Sequence, residues 1–258
     1  MLFFKAFTVA LIATLVGFIK FIYFISLGYG LSIASIGVYF LFTQKKLDMR
    51  EISLGILYFL YGFRLGVFLL IRDLKNHSYN EKMSEERNSS KEVNCFMKIL
   101  VWISCASLYS CQTSPLIFRF NSKKKDNYIC YVGIVIAFIG FLIEARADHE
   151  KNQAKRITPN RFVDTGLYRI VRCPNYFGEI LFWTGNFISG IKIYSNYVHW
   201  GVSGFGYLCI ILVMYSGTKK LESRQNISYG NDLDYQNYVQ KTPILFPFIP
   251  IYTFQKNP

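Results

Sequence analysis

The chain has 258 residues, 52% of them hydrophobic and 18% aromatic, with a formal net charge of +13 and a mean hydropathy of +0.24. A soluble domain of this length is more polar, whereas apolar runs of about 15–20 residues suit helices that cross a hydrocarbon core of about 30 Å. The basic excess would point to nucleic acid in a soluble protein, but no such module is legible. Cytoplasmic loops and anionic headgroups account for it in a membrane protein.

The expected fold is therefore all-α: one integral membrane domain over residues 1–258, a polytopic bundle of about six to seven transmembrane helices. Lys5 and the apolar run behind it look like the start of a signal peptide. The run continues past any plausible cleavage site, however, so it is read as a retained span. Residues 6–42 are almost continuously apolar, too long for one crossing, and predict two helices with a turn near Gly28 and Gly30. Further spans are expected at residues 51–71, 96–118, 128–144, 176–191 and 199–217.

Between the third and fourth spans, residues 73–94 form a polar loop. After residue 219 the chain is polar, and then Pro243, Pro247 and Pro250 rule out a regular helix. That last stretch is expected along the membrane surface. With the tail in the cytoplasm, 17 Lys and Arg fall on its side and nine opposite, which sets the orientation. Lys123, Lys124 and Lys125 run against that bias. The sequons at Asn76, Asn88 and Asn226 then face the cytoplasm and are expected to stay unglycosylated.

The densest block is residues 161–191, RFVDTGLYRIVRCPNYFGEILFWTGNFISGI. Pro174 suits the first position of a helix, since its missing N–H has no intrahelical partner there. The free amides of that turn, with Arg169 and Arg172 beside them, make an anion site at the lipid boundary. Upstream, Lys151 and Lys155 are four apart and share a face if the helix from residue 128 continues. A charged helix end reaching into water is the competing explanation. Glu222, Tyr229, Tyr235 and Tyr238 could hold an adenine or ribose, or simply form an amphipathic interfacial segment. Arg64 lies deep in an apolar span, facing either a cavity or an ion-pair partner, and Gly62 with Gly66 lets another helix approach.

The six cysteines form no CxxC pair and no disulfide framework, and the three histidines lack ligand spacing, so no metal is expected. No GxGxxG follows a strand, which excludes a Rossmann site.

Taken together, Glu144, Ala147, Asp148 and Lys151, then Phe162 through Arg169 (FVDTGLYR), then Arg172 through Glu179 (RCPNYFGE), resemble the steroid 5-alpha-reductase-like membrane proteins. Tyr235, Tyr238, Thr242, Pro243 and Pro247 in the tail and Arg64, Leu65, Gly66 and Arg72 upstream extend the likeness over about residues 54–250. The resemblance implies NADPH held between cytoplasmic loops and the last helices, in the endoplasmic reticulum membrane. Hydride would pass to a carbon–carbon double bond of a sterol-like or other lipid-soluble substrate. It implies a cofactor site lined by Lys151, Lys155, Arg169, Arg172, Asn175, Tyr176 and Glu179, with Glu222 and Tyr238. Tyr176 or Tyr61 would deliver the proton.

The chain departs from the family pattern at Cys173, where a histidine is usual, and at Glu150 and Ala154, where Gln and an aromatic are common. A non-catalytic protein that kept the fold would explain Cys173. The same block also resembles isoprenylcysteine carboxyl methyltransferases and phospholipid methyltransferases, which bind S-adenosylmethionine. Seven Lys and Arg in the loop between the fifth and sixth expected spans favour the phosphate-bearing NADPH.

Overall fold

The computed structural model describes residues 1–75, 93–122 and 128–255. Most of the polar loop, the sequons at Asn76 and Asn88, and Lys123, Lys124 and Lys125 lie outside the described residues. Within them the chain is all-α, with no strand. The helices are α1 (Leu2–Ala13), α2 (Leu27–Thr43), α3 (Met49–Lys75), α4 (Cys95–Gln112) and α5 (Ser114–Asn121). They continue with α6 (Tyr128–Ile157), α7 (Pro174–Gly190), α8 (Tyr197–Tyr229) and α9 (Leu233–Lys241).

Among the described residues five segments are long and apolar enough to cross a membrane: Phe21–Thr43, Met49–Leu74, Cys95–Gln112, Tyr128–Ile157 and Tyr197–Tyr229. Two expected spans are shorter. The first is the 12-residue α1 with a 3-10 turn behind it. The sixth is α7, whose 17 residues reach about 25 Å at 1.5 Å each.

The chain divides into two compact units, Met1–Ile134 with Phe187–Tyr207, and Val135–Asn186 with Leu208–Pro258. In the first unit the expected turn at Gly28 and Gly30 is not there. Both glycines are buried inside α2, and the break falls upstream in 3-10 turns at Thr14–Phe18 and Phe21–Phe24. The reason is packing. A Cβ on Gly30 would stand 2.7 Å from the Gly62 carbonyl and 2.9 Å from the Gly66 nitrogen, and one on Gly37 would stand 2.6 Å from the Gly55 carbonyl. Small residues let α2 and α3 touch backbone to backbone, as such pairs do in membranes. Lys20 leaves the break and pairs with Asp73 at 2.5 Å, and the Tyr23 hydroxyl donates to the same carboxylate.

The expected fourth span also breaks, at Thr113, because Pro115 cannot continue the α4 hydrogen-bond ladder and instead opens α5. Conversely, α6 runs 13 residues beyond residue 144 and α8 runs 12 beyond residue 217. A helix satisfies its own backbone on either side of the lipid boundary, so polar residues of good helix propensity simply extend it. These extensions belong to the second unit and carry Lys151, Lys155 and Glu222.

Also in the second unit, α6 and α7 cross at paired glycines. A Cβ on Gly178 would lie 2.6 Å from the Glu144 nitrogen and 2.8 Å from the Gly140 carbonyl. Phe182 and Trp183 bury fully behind that contact, ring edge against ring face at 5.0 Å. Phe138, Ile139 and Leu142 on α6 and Leu208 and Leu212 on α8 stay exposed, as lipid-facing side chains do.

Candidate functional site

All the expected cofactor residues fall in the second unit. The loop from α6 to α7 is built around Gly166, which sits at φ +61 in the left-handed region. Glu150 on α6 accepts the Leu167 N–H at 2.8 Å and pairs with Arg146 at 2.6 Å. Ala147, Val163 and Tyr168 bury together behind this turn, with Ala154 and Leu167 against them. Phe162 stacks on Tyr238, centroids 5.4 Å apart, with Tyr229 and Tyr235 on its other contacts.

The tail motif braces the same loop. The Tyr238 hydroxyl donates to the Tyr168 carbonyl at 2.6 Å, and the Arg172 N–H donates to the Pro243 carbonyl at 2.8 Å. Burial raises the Tyr238 and Tyr168 hydroxyls above the ordinary tyrosine range, so both stay protonated donors. Tyr238 thus acts on the loop backbone.

Arg172 is 2% exposed. Its Nη2 donates to Glu222 Oε1 at 3.0 Å and to the Tyr252 carbonyl. Among the described residues its buried Nε and Nη1 find no hydrogen-bond partner. The Tyr235 hydroxyl faces the same guanidinium while donating to Asn226 Oδ1 at 2.7 Å. Glu222 is equally buried, and its Oε2 accepts the Phe254 N–H at 3.0 Å.

Two residues on, Pro174 starts α7 as expected. Asn175 in its first turn buries Oδ1 without a partner among the described residues. Tyr176 is half-buried with its ring over Gly217, about where a Cβ there would make ordinary contact at 3.5 Å. Glu179 buries one turn further, and Glu144 and Asp148 bury on α6.

Cys173 sits among these groups, fully enclosed. Burial pushes its thiol up to about 11, against the pull of Arg172 and Lys151. Lys151 is half-buried on α6. Lys155 is engaged elsewhere. Its ammonium donates to the Pro159 and Arg161 carbonyls and to the Tyr229 hydroxyl, fastening the chain where α6 ends. Arg169 ends the 3-10 turn Gly166–Arg169 and is exposed. Tyr61 belongs to the first unit, buried on α3 with its hydroxyl 3.3 Å from that of Tyr29.

The structure therefore brings Arg172, Cys173, Lys151 and Glu222 together, with Asn175 beside them in sequence. It uses Lys155 and Tyr238 as loop fasteners. Sequence reasoning missed Tyr252 and Phe254, which act through backbone atoms and leave no side-chain signal. Glu150 and Asn226 were also missed as structural partners.

A family model described as a protein of unknown function (DUF1295) matches residues 11–242. The chain belongs to that family. No curated protein and no solved structure matches it.

Proposed function

We propose that this member of the DUF1295 family is an NADPH-dependent membrane oxidoreductase that reduces a carbon–carbon double bond in a sterol-like or other lipid-soluble substrate. The observation that carries this is Arg172: a fully buried guanidinium just before α7 with two nitrogens that find no acceptor among the described residues. Burying a donor unpaired costs about 1–3 kcal/mol, and a phosphoryl oxygen would satisfy either nitrogen with a charge-assisted hydrogen bond. Asn175 Oδ1 is a buried acceptor in the adjoining turn and suits an amide or hydroxyl donor.

These residues fit a phosphate-bearing dinucleotide. Arg172 and the α7 amides would hold its phosphate, Lys151 would add charge, and Glu222 would accept from a sugar hydroxyl. NADPH would supply the hydride. Tyr176 is the proton donor in this scheme, being half-buried in the first turn of α7. The buried Cys173 thiol stays protonated near neutral pH and neither attacks nor carries away a proton. The site would face the cytoplasm, with the C-terminal segment on that side of the endoplasmic reticulum membrane.

S-adenosylmethionine-dependent methyl transfer is the second reading. The buried Glu222 favours it, since that carboxylate cancels the Arg172 charge and would suit a sulfonium. The protein purified in detergent and titrated with each compound separates them. Saturable thermal stabilisation by NADPH alone, about 2.7 kcal/mol at a hundredfold excess over Kd, is the expected outcome. A response only to S-adenosylmethionine would replace the first reading with the second, and silence from both would remove both.

A further inference from the structure

Residues 252–255 run along α8 and meet it at the buried ion pair. The Tyr252 carbonyl accepts from Arg172, and the Phe254 N–H donates to Glu222 at 3.0 Å. Gln255 Oε1 accepts from Asn226 Nδ2 at 3.1 Å, and the Phe254 ring lies tilted on Tyr215 with centroids 4.6 Å apart. We propose that this segment is a displaceable strap that occupies the ligand's place on Arg172 and Glu222, and that a phosphorylated sugar binds by releasing it.

The strap offers one acceptor to the arginine and one donor to the carboxylate, two residues apart. A ribose phosphate offers the same pair, a phosphoryl oxygen and a sugar hydroxyl. The substitution favours the ligand, because an anionic oxygen adds the attraction of opposite charges to its hydrogen bond with the guanidinium, which a neutral carbonyl does not. It could also reach Nε or Nη1, which the strap leaves without a partner.

Little else secures the segment. Upstream of it, the Ile244 N–H donates to the Ile251 carbonyl at 2.8 Å and closes a loop. The tip of that loop, Phe248, is 95% exposed at φ +67. Ile249, Ile251 and Tyr252 are exposed as well. A segment with so few buried apolar contacts opens at low free energy. It also lies beyond residues 11–242, which the family model matches. The inference rests on the anion-binding reading of Arg172 and not on hydride transfer.

The test uses the full chain in nanodiscs of phosphatidylcholine, with hydrogen exchange followed at the amides of residues 252–255. NADPH is expected to speed that exchange. Phe254→Pro removes the donated N–H, whereas Phe254→Ala keeps it. The proline variant should bind NADPH roughly tenfold more tightly by calorimetry, the scale of one hydrogen bond to a charged group.

Unchanged or slowed exchange with NADPH bound, or weaker binding by the proline variant, would overturn the strap. Should the folded double variant Arg172→Met with Glu222→Gln lose that same binding, the proposed function would stand without it. A second arm places phosphatidic acid in the nanodiscs without nucleotide. Release of the strap by that lipid alone would keep the strap and assign the anion to a headgroup. No response to either ligand would sink the strap and the nucleotide reading together.

Discussion

Glu150 holds the turn at Gly166 by filling the space that any side chain there would need. Its carboxylate accepts the Leu167 N–H at 2.8 Å, and a Cβ on residue 166 would overlap both of its oxygens and its carboxyl carbon. The D-T-G-L-Y-R run is thereby explained in part as architecture. The glycine permits φ +61, Glu150 ties the turn to α6, and Arg172 leaves it pointing inward.

Gly166→Ala should therefore be destabilising. The left-handed backbone alone costs an alanine about 1–2 kcal/mol, and the collision with Glu150 adds to that. In a Glu150→Ala background the collision is gone, so the added cost of Gly166→Ala should shrink to the backbone share. A double-mutant cycle on thermal midpoints measures the coupling. Strict additivity would show that the two residues do not meet.

The helix crossing gives a second contrast. A Cβ at Gly178 meets backbone atoms of Gly140 and Glu144 at 2.6–2.8 Å, and backbone cannot rotate away. Gly178→Ala should force α6 and α7 apart at a cost of about 1–3 kcal/mol. Gly201 and Gly204 on α8 have nothing within 4 Å of a Cβ. Alanine at either should raise stability by up to about 1 kcal/mol through helix propensity alone. Thermal unfolding of the three variants under one condition checks both signs.

The apolar runs made the spans legible, because run length and hydropathy are local properties. The breaks were less so: Gly30 looks like a turn residue but serves as contact surface for α3, about 30 residues away, and Gly28 packs against Thr14 and the Tyr23 carbonyl. In the site, Arg172 stood out through its neighbours Pro174 and Asn175. Its pairing with Glu222, 50 positions later, depends on how α8 returns past the loop. Lys155 reads as a free cation in sequence. Its engagement with the Pro159 and Arg161 carbonyls needs the chain to reverse after Ile157. Tyr252 and Phe254 contribute a carbonyl and an N–H, which every residue has.

Cys173 should be chemically silent. Its thiol is buried and shifted to about 11, so thiolate is scarce at pH 8, while the exposed Cys95 should be alkylated by maleimide at ordinary rates. The shift also gives stability a sign. The folded state holds this proton more tightly than the unfolded one. The contribution is constant below the ordinary thiol value of 9.0 and is lost as pH rises through about 11. Comparing wild type with Cys173→Ala between pH 8 and 10.5 isolates the effect: the advantage of wild type should shrink on the alkaline side. A constant difference would mean that the thiol is not enclosed.

The ion pair allows folding and binding to be separated. Removing one member strands the other in a buried site, so Arg172→Ala and Glu222→Gln should each be strongly destabilising, on the order of 3–5 kcal/mol for the more damaging one. Replacing both, with Arg172→Met and Glu222→Gln together, leaves no uncompensated charge and should recover most of that loss. The double variant is the informative protein. It is expected to unfold near the wild-type midpoint and yet show no stabilisation by NADPH, because the two groups that hold the phosphate and sugar are gone. If the double variant is folded and NADPH still raises its midpoint as in wild type, the phosphate does not rest on Arg172, and the start of α7 loses its claim to be the cofactor site.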